Sequence, residues 1–296
     1  MKKLLTLNTH SLVEPEYGKK LELCVKQISE EIPDVIAMQE VSQTADAEIL
    51  PERALRTIDG KDGYFRPAGS DWEIRANNHA ANVAKMLGEL GHIYFWTWIP
   101  IKLGYGKYDE GIAIFSREPI LQVDVCRISK ADDYNFWKTR KVIGIQTGAD
   151  GDWFYSVHMG WWDDEEEPFT DQWKTLKQHV SVRQTENNRI WLMGDFNSPS
   201  QVRGQGYDLI LSDGWKDSYM MAEQKDSGIT VEKIIDGWEN RLSDESPKDS
   251  ANRLRMDHIF CSREVPVVTS EVLFNGRRGP IVSDHYGVMI TLEKET

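Results

Sequence analysis

Ile281-Val282-Ser283-Asp284-His285-Tyr286-Gly287 runs from apolar residues into an acid and an imidazole, and the same pattern recurs upstream. Gln39-Glu40 follows Val35 to Met38, and Gly194-Asp195-Phe196-Asn197 follows Ile190 to Met193. Asn8 ends the run from Lys3 to Leu7, His158 ends Trp153 to Val157, and Asp257 stands in Arg255-Met256-Asp257-His258-Ile259-Phe260. The end of a buried strand holds a side chain rigidly where the chain meets solvent. Carboxylates and amides placed there suit a hard cation such as Mg²⁺, and an imidazole there handles protons near neutral pH.

These fragments spread from residue 8 to residue 285 of a 296-residue chain, so both ends must meet in space. That favours one domain over residues 1–296 rather than two small ones. A hydrophobic content of 40% and a charged content of 28% are ordinary for a globular protein. The formal net charge of −13 is not. A nonspecific binder of long nucleic acids gains affinity from a basic surface, so this balance makes nucleic acid an unfavoured partner. Cys24, Cys126 and Cys261 form no spaced pair, which points to a reducing compartment and a cytoplasmic protein. The start, Met1 to Asn8, is too short and too interrupted for a signal peptide, and no run approaches the ~20 apolar residues of a membrane span. Nothing in the chain marks an obligate protein partner.

Hydrophobic periodicity predicts strands at 3–8 and 34–39 with a helix between them over 16–31, whose inner face carries Leu21, Leu23, Val25, Ile28 and Ile32. A helix over 78–90 stops at Gly91, and strands follow near 93–99, 111–116, 120–128, 141–147 and 153–158. A helix over 169–182 and a strand at 189–194 come next, and closing strands lie near 255–261, 266–274 and 286–292. Residues 41–76 and 221–250 are polar and give no clear pattern. Many strands with few helices between them predict an α/β sandwich: two packed, mainly antiparallel sheets flanked by helices.

The ordered series Asn8, Gln39-Glu40, His158, Gly194-Asp195-Phe196-Asn197, Asp257 and Ser283-Asp284-His285 resembles the endonuclease/exonuclease/phosphatase superfamily over nearly the whole chain. One fragment alone would say little, since Ser-Asp-His arises by chance; six in the right order say much more. The resemblance implies the four-layer α/β sandwich and hydrolysis of a phosphoric ester by in-line attack of water, with no covalent intermediate. It implies that Glu40 is the main ligand of Mg²⁺, with Mn²⁺ as a substitute, that Asn8 contributes to the same site and that Asp284 touches it. Mg²⁺ takes few protein carboxylates, which agrees with so sparse a set. Asp195 is then the group that orients or deprotonates the attacking water, and Asn197 donates to a phosphate oxygen. His285 handles a proton, with Asp257 fixing its tautomer. His158 is the second histidine, and Glu110, or its neighbour Asp109, supports it just ahead of the strand Ile112 to Phe115. Arg117 supports the site without being catalytic, and His258 faces the other way as a structural residue.

The fold serves nucleases, lipases and phosphatases alike, so the substrate has to be read from the loops. Met159-Gly160-Trp161-Trp162-Asp163-Asp164-Glu165-Glu166-Glu167-Pro168 begins one residue past His158. Indole faces stack on sugars or bases, and five consecutive acids repel a polyanionic strand. Alternatively the acids cap the helix that starts near Phe169 and the tryptophans pack inside. Together with Leu5-Thr6-Leu7-Asn8-Thr9-His10-Ser11, the segment from Gly160 to Phe169 looks like that of bacterial maltose 6'-phosphate phosphatases. That likeness implies a small phosphorylated sugar as substrate, with Trp161 and Trp162 beside it and the acids accepting from its hydroxyls. The competing reading, a metal-dependent nuclease or other phosphodiesterase, needs a basic groove, and Arg75, Arg203, Arg277 and Arg278 are scattered.

Overall fold

The computed structural model describes residues 1–56, 64–69, 72–148, 150–233, 235, 238 and 253–293, so much of the 221–250 stretch that gave no pattern lies outside them. The first sheet contains β1 (Lys2–Asn8), β2 (Val35–Thr44), β3 (Phe95–Gly104), β4 (Tyr108–Ser116), β10 (Ala222–Lys225), β12 (Val267–Leu273) and β13 (Gly287–Leu292). Their spatial order is β10-β12-β13-β1-β2-β4-β3. The second contains β5 (Ile120–Arg127), β6 (Lys141–Thr147), β7 (Trp153–His158), β8 (Ile190–Asp195), β9 (Lys216–Asp217) and β11 (Asp257–Cys261), in the order β5-β6-β7-β8-β11-β9. The pairs β1–β2, β7–β8 and β10–β12 are parallel and the others antiparallel, as the strand-rich pattern predicts.

Period-two alternation sorts each strand between two cores. Leu4, Val35 and Ala37 of the first sheet meet Ile143, Phe154, Trp191 and Met193 of the second in an apolar layer between the sheets. Their neighbours Leu5, Leu7, Ile36 and Met38 face outward, under α1 (Tyr17–Glu31) and α3 (His79–Glu89). On the far side Tyr155, Val157 and Leu192 pack beneath α4 (Phe169–Ser181) and α5 (Gly206–Ser212), through Phe169, Trp173, Leu176 and Ile210. Four layers result. Ile32, expected on the inner face of α1, instead ends that helix in the left-handed conformation (φ 50°), and Leu23 is only half-buried. The short helices α2 (Glu52–Arg56), α5 and α6 (Ser218–Met221) have two turns or fewer, too short for a periodicity legible in sequence.

The mainly apolar layer between the sheets carries a polar crossing at Gln39, beside a second in which the hydroxyls of Ser116 on β4 and Thr147 on β6 meet at 3.2 Å. Gln39 on β2 donates from Nε2 to Ser156 Oγ on β7 at 2.9 Å and accepts from Thr6 Oγ1 on β1 at 3.3 Å. Ser156 returns a hydrogen bond to the Met38 carbonyl at 3.0 Å. All three side chains are buried, so each would be costly without its partner. Truncating Gln39 to Ala should therefore cost about 2 kcal/mol in urea unfolding. A cost near zero would show that the crossing does not hold the sheets together.

Candidate active site

The strand registers bring the signature residues to one edge. Asn8 pairs with Gln39 across β1–β2, His158 with Asp195 across β7–β8, and Asp257 with Asp195 across β8–β11. Alternation alone would turn Glu40 away, because Gln39 already points between the sheets. A β-bulge corrects this: Gln39 and Glu40 fit between partners where β4 supplies only Ile112, and Glu40 takes φ 54°. Asn197 (φ 45°) and His10 (φ 47°) share that left-handed strain at the same edge. Gly194 is required by close approach, since a Cβ there would collide with the Val157 carbonyl.

His10, Glu40, Glu110, His158, Asp195, Asn197, Asp284 and His285 line one cavity of about 300 Å³. Asn8 joins two of its acids from below: its Nδ2 donates to Glu40 at 2.8 Å and to Asp195 at 3.2 Å. The other Asp195 oxygen accepts from the Asn197 backbone N–H at 2.8 Å. Imidazole nitrogens of His158 and His285 stand 3.6 and 3.7 Å from Asp195 Oδ2. His285 Nδ1 meets Asp257 at 2.9 Å, the orienting contact expected from sequence. The Asn197 amide is anchored by the Met159 carbonyl (3.0 Å) and the Trp238 indole N–H (2.9 Å).

This packing separates the proton affinities of the groups. Burial, with Asp257 and Glu40 adding to it, lifts Asp195 to about 7 against the pull of His285. Burial works against the charge on His285, but Asp257 and Asp195 outweigh it and hold the imidazole well above its ordinary value. His158 goes the other way, held well below by burial and by the neighbouring Arg140 and Lys102 charges. Burial, then Glu110 and Asp284, raises Glu40. Half-buried and close enough to Glu110 and Asp284 to feel their charges, Glu40 sits where a cation would relieve the repulsion, and carboxylates are hard oxygen donors. The Asn8 amide would have to turn to offer its oxygen as well. The residues present therefore fit a divalent cation.

Other expectations need correction. Glu110 lies on the cavity wall, but its described contact is an ion pair with Lys102 at 3.1 Å rather than a hydrogen bond to His158. Its neighbour Asp109 accepts from Gln43 Nε2 and Tyr134 O–H instead. Arg117 pairs with Asp34 at 3.2 Å at the opposite, N-terminal end of β2 and has no part in the site. Trp161 lines the cavity as expected, but Trp162 packs against Phe169 at the edge of the α4 core. The second cavity indole is Trp137, 5.5 Å from Trp161, in a loop from which sequence reading singled out no residue. Nor do the acids face the cavity or cap α4, whose N-cap is Pro168 with no side-chain bond. Glu167 accepts from the Lys130 and Ala131 backbone N–H groups at 2.7 and 2.8 Å, and Asp164 pairs with Lys138 at 2.7 Å. They fasten the loop that carries Trp137 and Arg140. Arg140 was also missed, though the run Lys138-Thr139-Arg140-Lys141 just before β6 was a visible signal, and so was His10, two residues past Asn8.

His258 is structural, as expected: it bonds the Ser198 carbonyl and Arg255, both at 3.1 Å, and holds the turn after Asn197. Burial, reinforced by Arg255, lowers it from 6.5 to about 3, so the folded chain keeps it neutral while the unfolded chain protonates it. Its contribution to stability is whole above pH 6.5 and is lost as pH falls toward about 3. The melting temperature of His258→Gln should accordingly fall less over that interval than the wild type's; parallel pH curves would contradict the assignment. Mg²⁺ should raise the melting temperature of the wild type and not of Glu40→Gln, and an equal rise in both would move the cation elsewhere.

The model of the Endonuclease/Exonuclease/phosphatase family matches residues 5–285. No curated protein matches the chain. Among solved structures, an endonuclease/exonuclease/phosphatase family protein from Leptotrichia buccalis is 32% identical with a TM-score of 0.81, over 99% of this chain and 100% of that one. A mannosyl-6-phosphatase from Bacteroides thetaiotaomicron (16% identity, TM-score 0.63, 99% and 100% covered) shares the fold. So does a 3'-5' exonuclease from Neisseria meningitidis (18% identity, TM-score 0.61, 99% and 100% covered). Matched along almost its entire length, the chain belongs to the endonuclease/exonuclease/phosphatase family, whose members hydrolyse phosphoric esters.

Proposed function

We propose that the chain is a Mg²⁺-dependent phosphomonoesterase acting on a small phosphorylated sugar. The observation that carries this reading is a single cavity of about 300 Å³ in which the Asp195, His158 and His285 set shares its wall with the indoles of Trp137 and Trp161. That volume is at the lower end of small-molecule sites and suits one compact ligand better than a polymer. Indole faces match the apolar faces of a sugar ring, and the net charge of −13 opposes a nucleic acid strand. The likeness in fold to a mannosyl-6-phosphatase agrees with this, as does the segment from Gly160 to Phe169 that looks like maltose 6'-phosphate phosphatases.

Each residue then has a task set by its environment. Asp195, raised to about 7, is basic enough to take a proton from water yet ionised in a large share of molecules near neutral pH. Asn8 and the Asn197 backbone N–H fix the direction of that carboxylate. Water oxygen bonds to phosphorus as the ester P–O bond breaks, one water proton passes to Asp195, and the departing sugar oxygen takes a proton from solvent to leave as the hydroxyl. His285, kept charged by Asp257 and Asp195, donates to the phosphoryl group where negative charge accumulates. Neutral His158 offers a hydrogen bond from the other side without adding a full charge. Asn197 has an amide hydrogen beyond its bond to Met159 for a phosphate oxygen. A cation at Glu40, once bound, supplies Lewis-acid polarisation of the phosphoryl oxygens.

Phosphate release measured with and without chelator on maltose 6'-phosphate, glucose 6-phosphate, nucleotides and abasic-site DNA tests the reading. Chelator-sensitive release from a sugar phosphate is expected, with DNA left intact; cleavage of DNA alone would replace the substrate class with the nuclease one. Asp195→Asn should lower kcat by about 10³-fold in a folded protein. Trp161→Ala should chiefly raise KM, and Trp162→Ala should lower stability while leaving KM near the wild-type value. A raised KM in Trp162→Ala alone would put the sugar on the other indole.

A further inference from the structure

Four cationic or proton-holding side chains stand on the cavity wall: His10, Lys102, Arg140 and His285. Three are already matched with a carboxylate. His10 Nδ1 lies 2.8 Å from Glu14, Lys102 Nζ lies 3.1 Å from Glu110 and His285 Nδ1 lies 2.9 Å from Asp257. Arg140 differs. Among the described residues it has no carboxylate within ion-pair distance, although it is 3% exposed. Its Nε and Nη1 donate only to backbone carbonyls, of Met159 (3.4 Å), Trp137 (3.1 Å) and Thr139 (3.2 Å), and its guanidinium lies 5.7 Å from the Trp161 ring. Carbonyls hold the fork in place without cancelling its charge.

A buried guanidinium with no paired anion is costly unless something that binds there supplies one. The planar fork matches two oxygens of a phosphate, and Nη2 is not used by any described hydrogen bond. We infer that Arg140 is a specificity-determining residue that reads the second negative charge of a phosphomonoester dianion. A phosphodiester carries one charge and two unsubstituted oxygens. A monoester carries two charges and three such oxygens, one more of each to meet Arg140 after Asn197 and His285 are engaged. The acids that fasten the loop, Glu167 and Asp164, thereby act on specificity at a distance, because they set where Arg140 and Trp137 stand. This deepens the phosphomonoesterase reading and rests on it for the identity of the site, but the charge preference can be measured without turnover.

Binding of inorganic phosphate and of dimethyl phosphate, followed by calorimetry at pH 8 in the presence of Mg²⁺, tests the inference. Wild type should bind phosphate at least tenfold more tightly than dimethyl phosphate. In Arg140→Gln the phosphate Kd should rise at least tenfold and the dimethyl phosphate Kd less than threefold, with Arg140→Lys between the two variants' extremes. Equal losses for both anions, or an unchanged phosphate Kd, would overturn it. If Arg140→Gln does not fold, the wild-type comparison still decides, because equal affinity for the two anions would contradict a reader of the second charge. Absence of sugar-phosphate turnover alongside tight, Arg140-dependent phosphate binding would refute the substrate and leave the charge reader standing.

Discussion

The site depends on a polar crossing between two sheets that otherwise meet mainly through apolar side chains. Gln39 hydrogen-bonds Thr6 on its own sheet and Ser156 on the facing one, and Ser156 bonds back to Met38. Two sheets packed through aliphatic contacts alone can slide, since dispersion and hydrophobic burial have little directional preference. Hydrogen bonds do have direction. This one lies immediately beneath Glu40 and two residues before His158 along β7, so the register it fixes is the register of the catalytic edge. The parallel pairs β1–β2 and β7–β8 then place Asn8 beside Gln39 and His158 beside Asp195.

Above that crossing the chemistry follows from how burial is shared among charges. One histidine, His285, is backed by Asp257 and held charged; the other, His158, faces Arg140 and Lys102 and is held neutral. Asp195 lies between them with a proton affinity near neutrality. Three groups of two residue types thus obtain three different protonation preferences from their neighbours. Left-handed backbone at His10, Glu40 and Asn197 is the conformational cost of aiming them all at one point.

Sequence made the strands and the metal and proton-handling residues legible because both repeat a simple local rule. A buried strand alternates with period two, and an acid, amide or imidazole at its end stands out against the apolar run. Strand β6 at Lys141–Thr147 and β7 at Trp153–His158 fall where the periodicity puts them. The loops follow no such rule. Trp162 and Trp161 are adjacent in sequence, yet only the fold decides that one packs on Phe169 while the other meets Trp137. The five acids after them read as sugar acceptors or a helix cap, whereas three of them, Asp164, Glu166 and Glu167, hold a loop upstream (Lys130 to Glu167 spans 37). Arg140 stands in a basic run that reads as a solvated surface, and its significance lies in having, among the described residues, no carboxylate within ion-pair distance.

Attack of water on phosphorus, directed by Asp195, is the step on which the chemistry of this site turns. Hydrolysis of the best sugar phosphate in ¹⁸O-labelled water, with the products analysed by mass spectrometry, tests it. One labelled oxygen is expected in the released phosphate, none in the sugar, and no phosphorylated protein trapped by rapid acid quench. Label in the sugar hydroxyl, or a quenched phosphoprotein, would contradict it.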